Sequence, residues 1–220
     1  MTIRNRVLFG KIDYINLLPF YVFAKRYIRS SQLKQSIAYK KDFPAAINKK
    51  FKSRKIDAAF ISSIESKRGN FSCLDVGIIA KKEIQSVLVK EGDFMPDSHS
   101  STSNALAKQL GIKGEVIIGD KALRAYLKNP DAYVDLAKVW QERYQLPFVF
   151  ALLCVNKNRC YYKKLAQSFT NTKVKIPQYI LQKYASSRKI PMRDIQAYLA
   201  LVSYEVDTKA KKGLKQFLIS

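Results

Sequence analysis

The chain has 220 residues, of which 40 are Lys or Arg and 17 are Asp or Glu, a formal net charge of +23, with 47% hydrophobic and 12% aromatic residues. That apolar share is enough to bury a core, which excludes a disordered chain, and no run of about 18 uncharged apolar residues exists to cross a bilayer. The length suits one large domain or two small lobes.

Read from the start, Val7 to Ile12 is a short apolar run, and Asp13-Tyr14-Ile15-Asn16-Leu17-Leu18-Pro19 leads into a helix from Phe20 to Ile28, with Pro19 in its first turn. Ser36 to Tyr39 reads as a short strand. A helix follows with Asp42 as its cap and Pro44 in the first turn. Ile56 to Ile61 is a buried-strand run that stops at Ser62-Ser63-Ile64-Glu65, a typical helix start. Leu74 to Ala80 and Ile84 to Val89 read as strands, with a loop from Glu91 to His99. Ser100-Ser101-Thr102-Ser103 opens a helix, Glu115 to Ile118 is a strand ending in Gly119-Asp120, and Lys121 to Leu127 is the helix behind it. Asp135 to Tyr144 is helical and Pro147 to Val155 is a strand. From about 160 onward the chain reads as helical and basic, with Pro177, Pro191 and Asp207 as helix starters. The alternation predicts an α/β protein with largely parallel sheets.

The charge is uneven. Residues 1–60 hold 14 basic and 3 acidic side chains, a net of +11, residues 151–220 repeat those counts, and residues 61–150 hold 12 and 11, a net of +1. Both ends are therefore expected to build one lobe and the middle another. A basic balance this strong raises nucleic acid, an anionic membrane surface or a small anion as partner. No helix-turn-helix block, zinc-finger spacing or aromatic RNA-binding signature supports nucleic acid, and no membrane contact is expected. The N-terminus lacks the uninterrupted apolar core and small-residue cleavage site of a signal peptide, which predicts a cytoplasmic protein. Cys73, Cys154 and Cys160 are odd in number and lack metal-ligand spacing, so free thiols are expected. His99 is the one histidine, in a loop expected to be exposed, and leaves little room for a His-based metal site or triad.

Asn16, Ser62-Ser63, Ser100 to Ser103 and Gly119-Asp120 each lie before or at a predicted helix start. In open α/β sheets, ligands sit beyond the carboxyl ends of the strands, where helix N-termini offer free N–H groups to anions. Such junctions make a cleft for a small anion, or are helix caps only, and both readings stand at this point.

The same residues resemble a known family. Tyr14-Ile15-Asn16-Leu17-Leu18-Pro19 is similar to the Y-[LI]-N-x-x-P signature of the menaquinone-biosynthesis enzymes of the futalosine pathway. Asp57 to Glu65, Ser86-Val87, Ser100 to Ser103, Ile118 to Leu123, Leu146 to Ala151 and Gly213 to Phe217 resemble further blocks of that family, in order along nearly the whole chain. The serine pair before Ile64-Glu65 and the Ile-Gly-Asp-x-Ala-Leu block resemble the chorismate dehydratase branch more than its sister, the dihydroxynaphthoate synthases. Departures fall in the second lobe: residues 91–99 are short, Ala137 stands where glycine is common, and Tyr144-Gln145 replaces Thr-Gly.

The resemblance implies an α/β, two-lobed fold of the type II periplasmic-binding-protein kind, with a ligand cleft between the lobes. Lobe 1 would comprise 1–89 and 151–220, and lobe 2 would be the inserted 90–150. It implies loss of water from the dianion chorismate to give 3-[(1-carboxyvinyl)oxy]benzoate, with the substrate's own enolpyruvyl carboxylate as base and no cofactor or metal. By the same resemblance Asn16 is the catalytic candidate. Ser62, Ser63 and Ser86 would bind from the first lobe and Ser100, Thr102 and Ser103 from the second. Gly119 would allow close backbone approach, Asp120 would cap a helix or accept a substrate hydroxyl, and Phe148 would pack on the ring. The rival readings are the sister enzyme and a non-catalytic small-anion-binding protein; a homodimer is left open.

Overall fold

In the computed structural model, which describes residues 8–39, 41–67, 69 and 71–219, the strands sort into two sheets. Five strands form the larger: β1 (Phe9–Gly10), β2 (Ala58–Ser62), β3 (Ser72–Ala80), β7 (Phe148–Val155) and β8 (Val202–Glu205), in the order β1-β2-β7-β3-β8. The smaller holds β4 (Val87–Glu91), β5 (Gly114–Ile118) and β6 (Val134–Asp135), in the order β5-β4-β6. The chain thus enters the small sheet at Val87 and has returned to the large one by Phe148. Residues 1–6 of the signal-like segment, and Val7 of the first apolar run, lie outside the described residues.

The expectation of largely parallel sheets is corrected. Among the strand pairs of the described residues only β1 and β2 run parallel; β2–β7, β3–β7, β3–β8 and both pairings of the small sheet are antiparallel. The apolar runs of β2 and β7 are buried on both faces, and a run of that kind carries no record of its direction. β8 was not expected at all, being four residues between two helices.

The helices α1 (Leu18–Tyr27), α2 (Ser31–Tyr39), α3 (Pro44–Lys52), α4 (Ser63–Lys67), α5 (Ser101–Leu110), α6 (Gly119–Lys128) and α7 (Leu136–Tyr144) precede β7. After it come α8 (Arg159–Thr170), α9 (Gln178–Arg188), α10 (Met192–Leu201) and α11 (Thr208–Ile219). Pro19 lies in the first turn of α1 as expected. The strand expected at Ser36 to Tyr39 is instead the end of α2, because Leu33 and Ile37, four apart, are both buried on one helical face. Asp42 is not the cap of α3: Phe43 takes that position, with Pro44 following, and Asp42 accepts the Phe43 N–H while pairing with Lys50. The lysines of 49–55 and 209–215 are exposed. No helix among the described residues is long and apolar enough to cross a membrane.

Apolar packing joins the two sheets' layers. Trp140 of α7 and Phe217 of α11 both pack edge-on to Phe148, at 5.1 and 4.9 Å between ring centroids. Asp135 caps α7 by accepting the N–H groups of Ala137 and Lys138, and also accepts those of Ile84 and Gln85 in the crossover to β4. Cys73 and Cys154, opposite one another on β3 and β7, form a disulfide, and Cys160 is free and exposed. The expectation of three free thiols is therefore corrected; spacing along the chain could not show that a residue 81 positions away is the cross-strand neighbour.

Candidate functional site

A cavity of about 620 Å³, counting solvent at its mouth, lies where strand ends and helix starts of the two sheets meet. Asn16, Ser62, Ser86, Ser100, Ser103 and Gly119 line it, with Tyr14 and Phe150. Six of the ten expected site residues are thus brought together. Ser63, Thr102, Asp120 and Phe148 stand off the wall, each for a stated reason. Ser63 donates its hydroxyl to the Val149 carbonyl. Thr102 is 1% exposed and accepts the Ile64 N–H at 3.3 Å, tying α4 to α5. Asp120 is turned to Ile15 and Arg188. Phe148 is buried in the aromatic cluster, and Phe150 takes the wall instead.

Pairing explains that exchange. Ile78 faces Ala151 while Ile79 faces Val149, so Phe150 is an extra residue in β7. A bulge breaks the two-residue alternation and re-aims a side chain, which the sequence alone does not signal.

Each wall residue is held from behind. Ser62 receives Asn48 Nδ2 on its hydroxyl at 2.9 Å and gives its N–H to Asn48 Oδ1 at 3.3 Å. Ser100 caps α5: its hydroxyl accepts the Ser103 N–H at 3.2 Å and donates to Ser103 Oγ at 2.7 Å. The Ser86 hydroxyl lies 2.9 Å from Tyr198 Oη, and its carbonyl accepts the Gly119 N–H at 2.8 Å. Asn16 sits in the short 3-10 turn Ile15–Leu17, and its carbonyl accepts the Tyr204 hydroxyl at 2.7 Å. Asn16 Oδ1 is buried with no protein partner. Asn48, Tyr198 and Tyr204 belong to none of the matched blocks, so only the fold identifies them.

Gly119 opens α6 at φ +66°, and a Cβ there would meet the Tyr14 ring at 2.8 Å. Glycine is required both by the left-handed backbone and by the ring. Gly119→Ala is expected to cost about 1–2 kcal/mol of stability and to raise KM by displacing Tyr14, checked by thermal unfolding and steady-state kinetics.

Beside the cavity, Arg188 of α9 joins three segments. It donates to Asp120 Oδ2 at 2.9 Å and to the Asp13 carbonyl at 2.8 Å, and stacks on Tyr184 at 4.0 Å. Asp120 also accepts the Ile15 N–H at 2.9 Å, so α6 is tied to the turn that carries Asn16. Burial pushes the Asp120 carboxyl up from its ordinary range, against the Ile15 N–H and Arg188. Burial also acts upward on Asp13, but Lys41, Lys11 and the Tyr184 hydroxyl outweigh it and hold that carboxyl well below its usual 3.8. A carboxyl depressed in the fold stabilises it above the unfolded value and loses that contribution as pH falls. The gap in melting temperature between wild type and Asp13→Asn is therefore expected to be widest at pH 7 and to shrink below about pH 4.

His99 is half-buried rather than exposed, stacked on Phe43 at 4.1 Å between centroids and 10° between planes. Pro44 and Ser100, the sequence neighbours of this pair, both line the cavity. His99 itself is off the wall.

None of the wall side chains carries a carboxylate, imidazole, ammonium or guanidinium group. Tyr14 is the one titratable group, pushed up to about 12 by burial and then by Asp97 and Asp120. The wall presents hydroxyls, amides and the starts of α5 and α6 at neutral formal charge, an arrangement able to take an anion.

Comparison with known proteins agrees with this architecture. The chain is 48% identical over 214 residues to a chorismate dehydratase of Campylobacter jejuni, covering 96% of both chains. The family model described as menaquinone biosynthesis matches residues 92–219. Among solved structures, an Archaeoglobus fulgidus protein aligns with a TM-score of 0.64 at 12% identity, over 96% of this chain and 94% of that one. The periplasmic aliphatic sulphonate binding protein of Escherichia coli aligns with a TM-score of 0.53 at 13% identity, over 98% and 86%. These likenesses give the two-lobed, periplasmic-binding-protein-like fold. They also overturn the cytoplasmic expectation: the fold is shared with a periplasmic protein, and the Cys73–Cys154 disulfide is a bond that persists in oxidising surroundings. Sequence across nearly the full length, the family model and the fold all lead to one place: the chain belongs to the chorismate dehydratase family of menaquinone-biosynthesis enzymes.

Proposed function

We propose that this protein eliminates water from chorismate to give 3-[(1-carboxyvinyl)oxy]benzoate, in menaquinone biosynthesis by the futalosine pathway, as a carbon–oxygen lyase without a cofactor. The observation that carries the reading is the 48% identity over 96% of both chains to a chorismate dehydratase. The uncharged wall supports the chemistry. A ring C–H bond and the bond to the hydroxyl both break, the proton and hydroxide leave as water, and the ring becomes aromatic. With Tyr14 held neutral and no other titratable side chain on the wall, the base is the substrate's own enolpyruvyl carboxylate.

In this reading residues 1–89 and 151–220 form one lobe, 90–150 form the other, and the cavity is the substrate cleft. The enzyme's part is to orient: Asn16 at the reacting face, Ser62 and Ser86 on one side, Ser100, Ser103 and the Gly119 backbone on the other. Alignment of the carboxylate against the ring proton replaces a general base, and a cleft poor in water strengthens each hydrogen bond to the dianion.

The test is incubation of purified protein with chorismate, following the rise of a benzoate-like ultraviolet spectrum and a product lighter by one water. Conversion, with kcat/KM flat over the pH range between the carboxylates and Tyr14, is the expected result. Tight binding without conversion would instead make the protein a small-anion receptor.

A further inference from the structure

Two tyrosines from the last quarter of the chain converge on Asn16. Tyr204, on β8, donates its hydroxyl to the Asn16 carbonyl at 2.7 Å. Tyr198, on α10, is 2% exposed, and its Oη lies 2.9 Å from Ser86 Oγ. The Asn16 side chain also acts on the Tyr198 phenol as a hydrogen-bond donor does, drawing its pKa down against the effect of burial. Neither tyrosine lines the cavity, so each acts on a ligand only through Asn16 or Ser86.

We propose that Tyr198 and Tyr204 are positioning residues that fix Asn16 in one orientation, Tyr204 by its backbone and Tyr198 by its amide. This rests on the chorismate reading above. The direction of the hydrogen bonds follows from the inventory of donors. Asn16 Nδ2 donates to Tyr198 Oη; the single phenol hydrogen then goes to Ser86 Oγ, and the Ser86 hydrogen faces the cavity. Asn16 Oδ1, which has no protein partner, is thereby presented as an acceptor, and Ser86 as a donor. An acceptor suits the hydroxyl that departs, and a donor suits a carboxylate. Burial raises the Tyr198 phenol well above its ordinary range, so it stays protonated and the order of donors does not reverse near neutral pH.

Wild type and variants are compared on chorismate. Tyr198→Phe keeps the ring and its volume and is expected to lower kcat about 100-fold, with KM within about threefold of wild type and the melting temperature down by only a few degrees. Tyr204→Phe is expected to lower kcat about tenfold. In an Asn16→Ala background Tyr204→Phe is expected to lose its effect on the residual turnover, because the residue it acts through is gone, and Tyr198→Phe to keep only the part that passes through Ser86. An inactive wild type overturns the chorismate reading and the clamp with it. An active wild type whose folded tyrosine variants keep kcat within about threefold, or lose as much turnover without Asn16 as with it, overturns the clamp alone. Should Tyr198→Phe not fold, Tyr204→Phe decides by the same two measures.

Discussion

Asn16→Ala is expected to lower kcat for chorismate about a thousandfold, with a much smaller change in KM. Asn16 is held from behind by Tyr204 on its carbonyl, with Tyr198 acting on its side chain. Rigid placement of this kind serves reaction geometry more than affinity. The serines and helix starts proposed to hold the carboxylates remain in the variant, so binding is expected to survive while the reacting end loses its guide. Asn16→Asp is the sharper control, because it keeps the shape and puts a charge beside a dianion. It is expected to raise KM as well as to lower kcat. Steady-state kinetics followed by product absorbance separate the two outcomes, and a kcat within tenfold of wild type for the alanine variant would remove Asn16 from the mechanism.

Asp135→Ala is expected to cost about 4 kcal/mol of stability, since four N–H groups, two buried and two part-buried, lose their acceptor together. Oδ1 takes those of Ala137 and Lys138 at 2.9 and 3.2 Å, and Oδ2 those of Ile84 and Gln85 at 2.9 and 2.6 Å. Gln85 stands at φ +57°, a left-handed conformation that its bond to Asp135 offsets. For a chain of this length the melting temperature should drop on the order of 10 °C. Asp135→Asn keeps one acceptor oxygen and should fall between the two. Because Ile84 and Gln85 lead directly into Ser86, the alanine variant is also expected to raise KM. A melting temperature within about 2 °C of wild type would show that water replaces the carboxylate at little cost.

The junctions were legible in the sequence because chemistry and position coincide there: a serine that caps a helix, or a glycine forced to φ +66°, is recorded by residue type. Gln145 shows the limit. It stands where the resembled family pattern has glycine and adopts φ +55°, so the left-handed turn is made here without a glycine. Strand direction was not legible, since burial on both faces of β2 and β7 erases the pattern that would show it. Phe148 and Phe150 look alike in sequence, and only the bulge between Val149 and Ala151 sends one to the core and the other to the wall. Arg188 and the two tyrosines were missed because their partners lie more than 65 residues away, beyond any local signal.

Those separations also set an order of events in folding. Asn16 leaves the ribosome well before Tyr204, which secures its carbonyl and follows 188 residues later. The nascent chain can collect helices and most of the large sheet while the turn that carries Asn16 remains unanchored. Contacts this distant in sequence close late, so catalytic competence should appear only with the last step of folding. In a stopped-flow refolding experiment, recovery of turnover should therefore lag behind recovery of secondary structure.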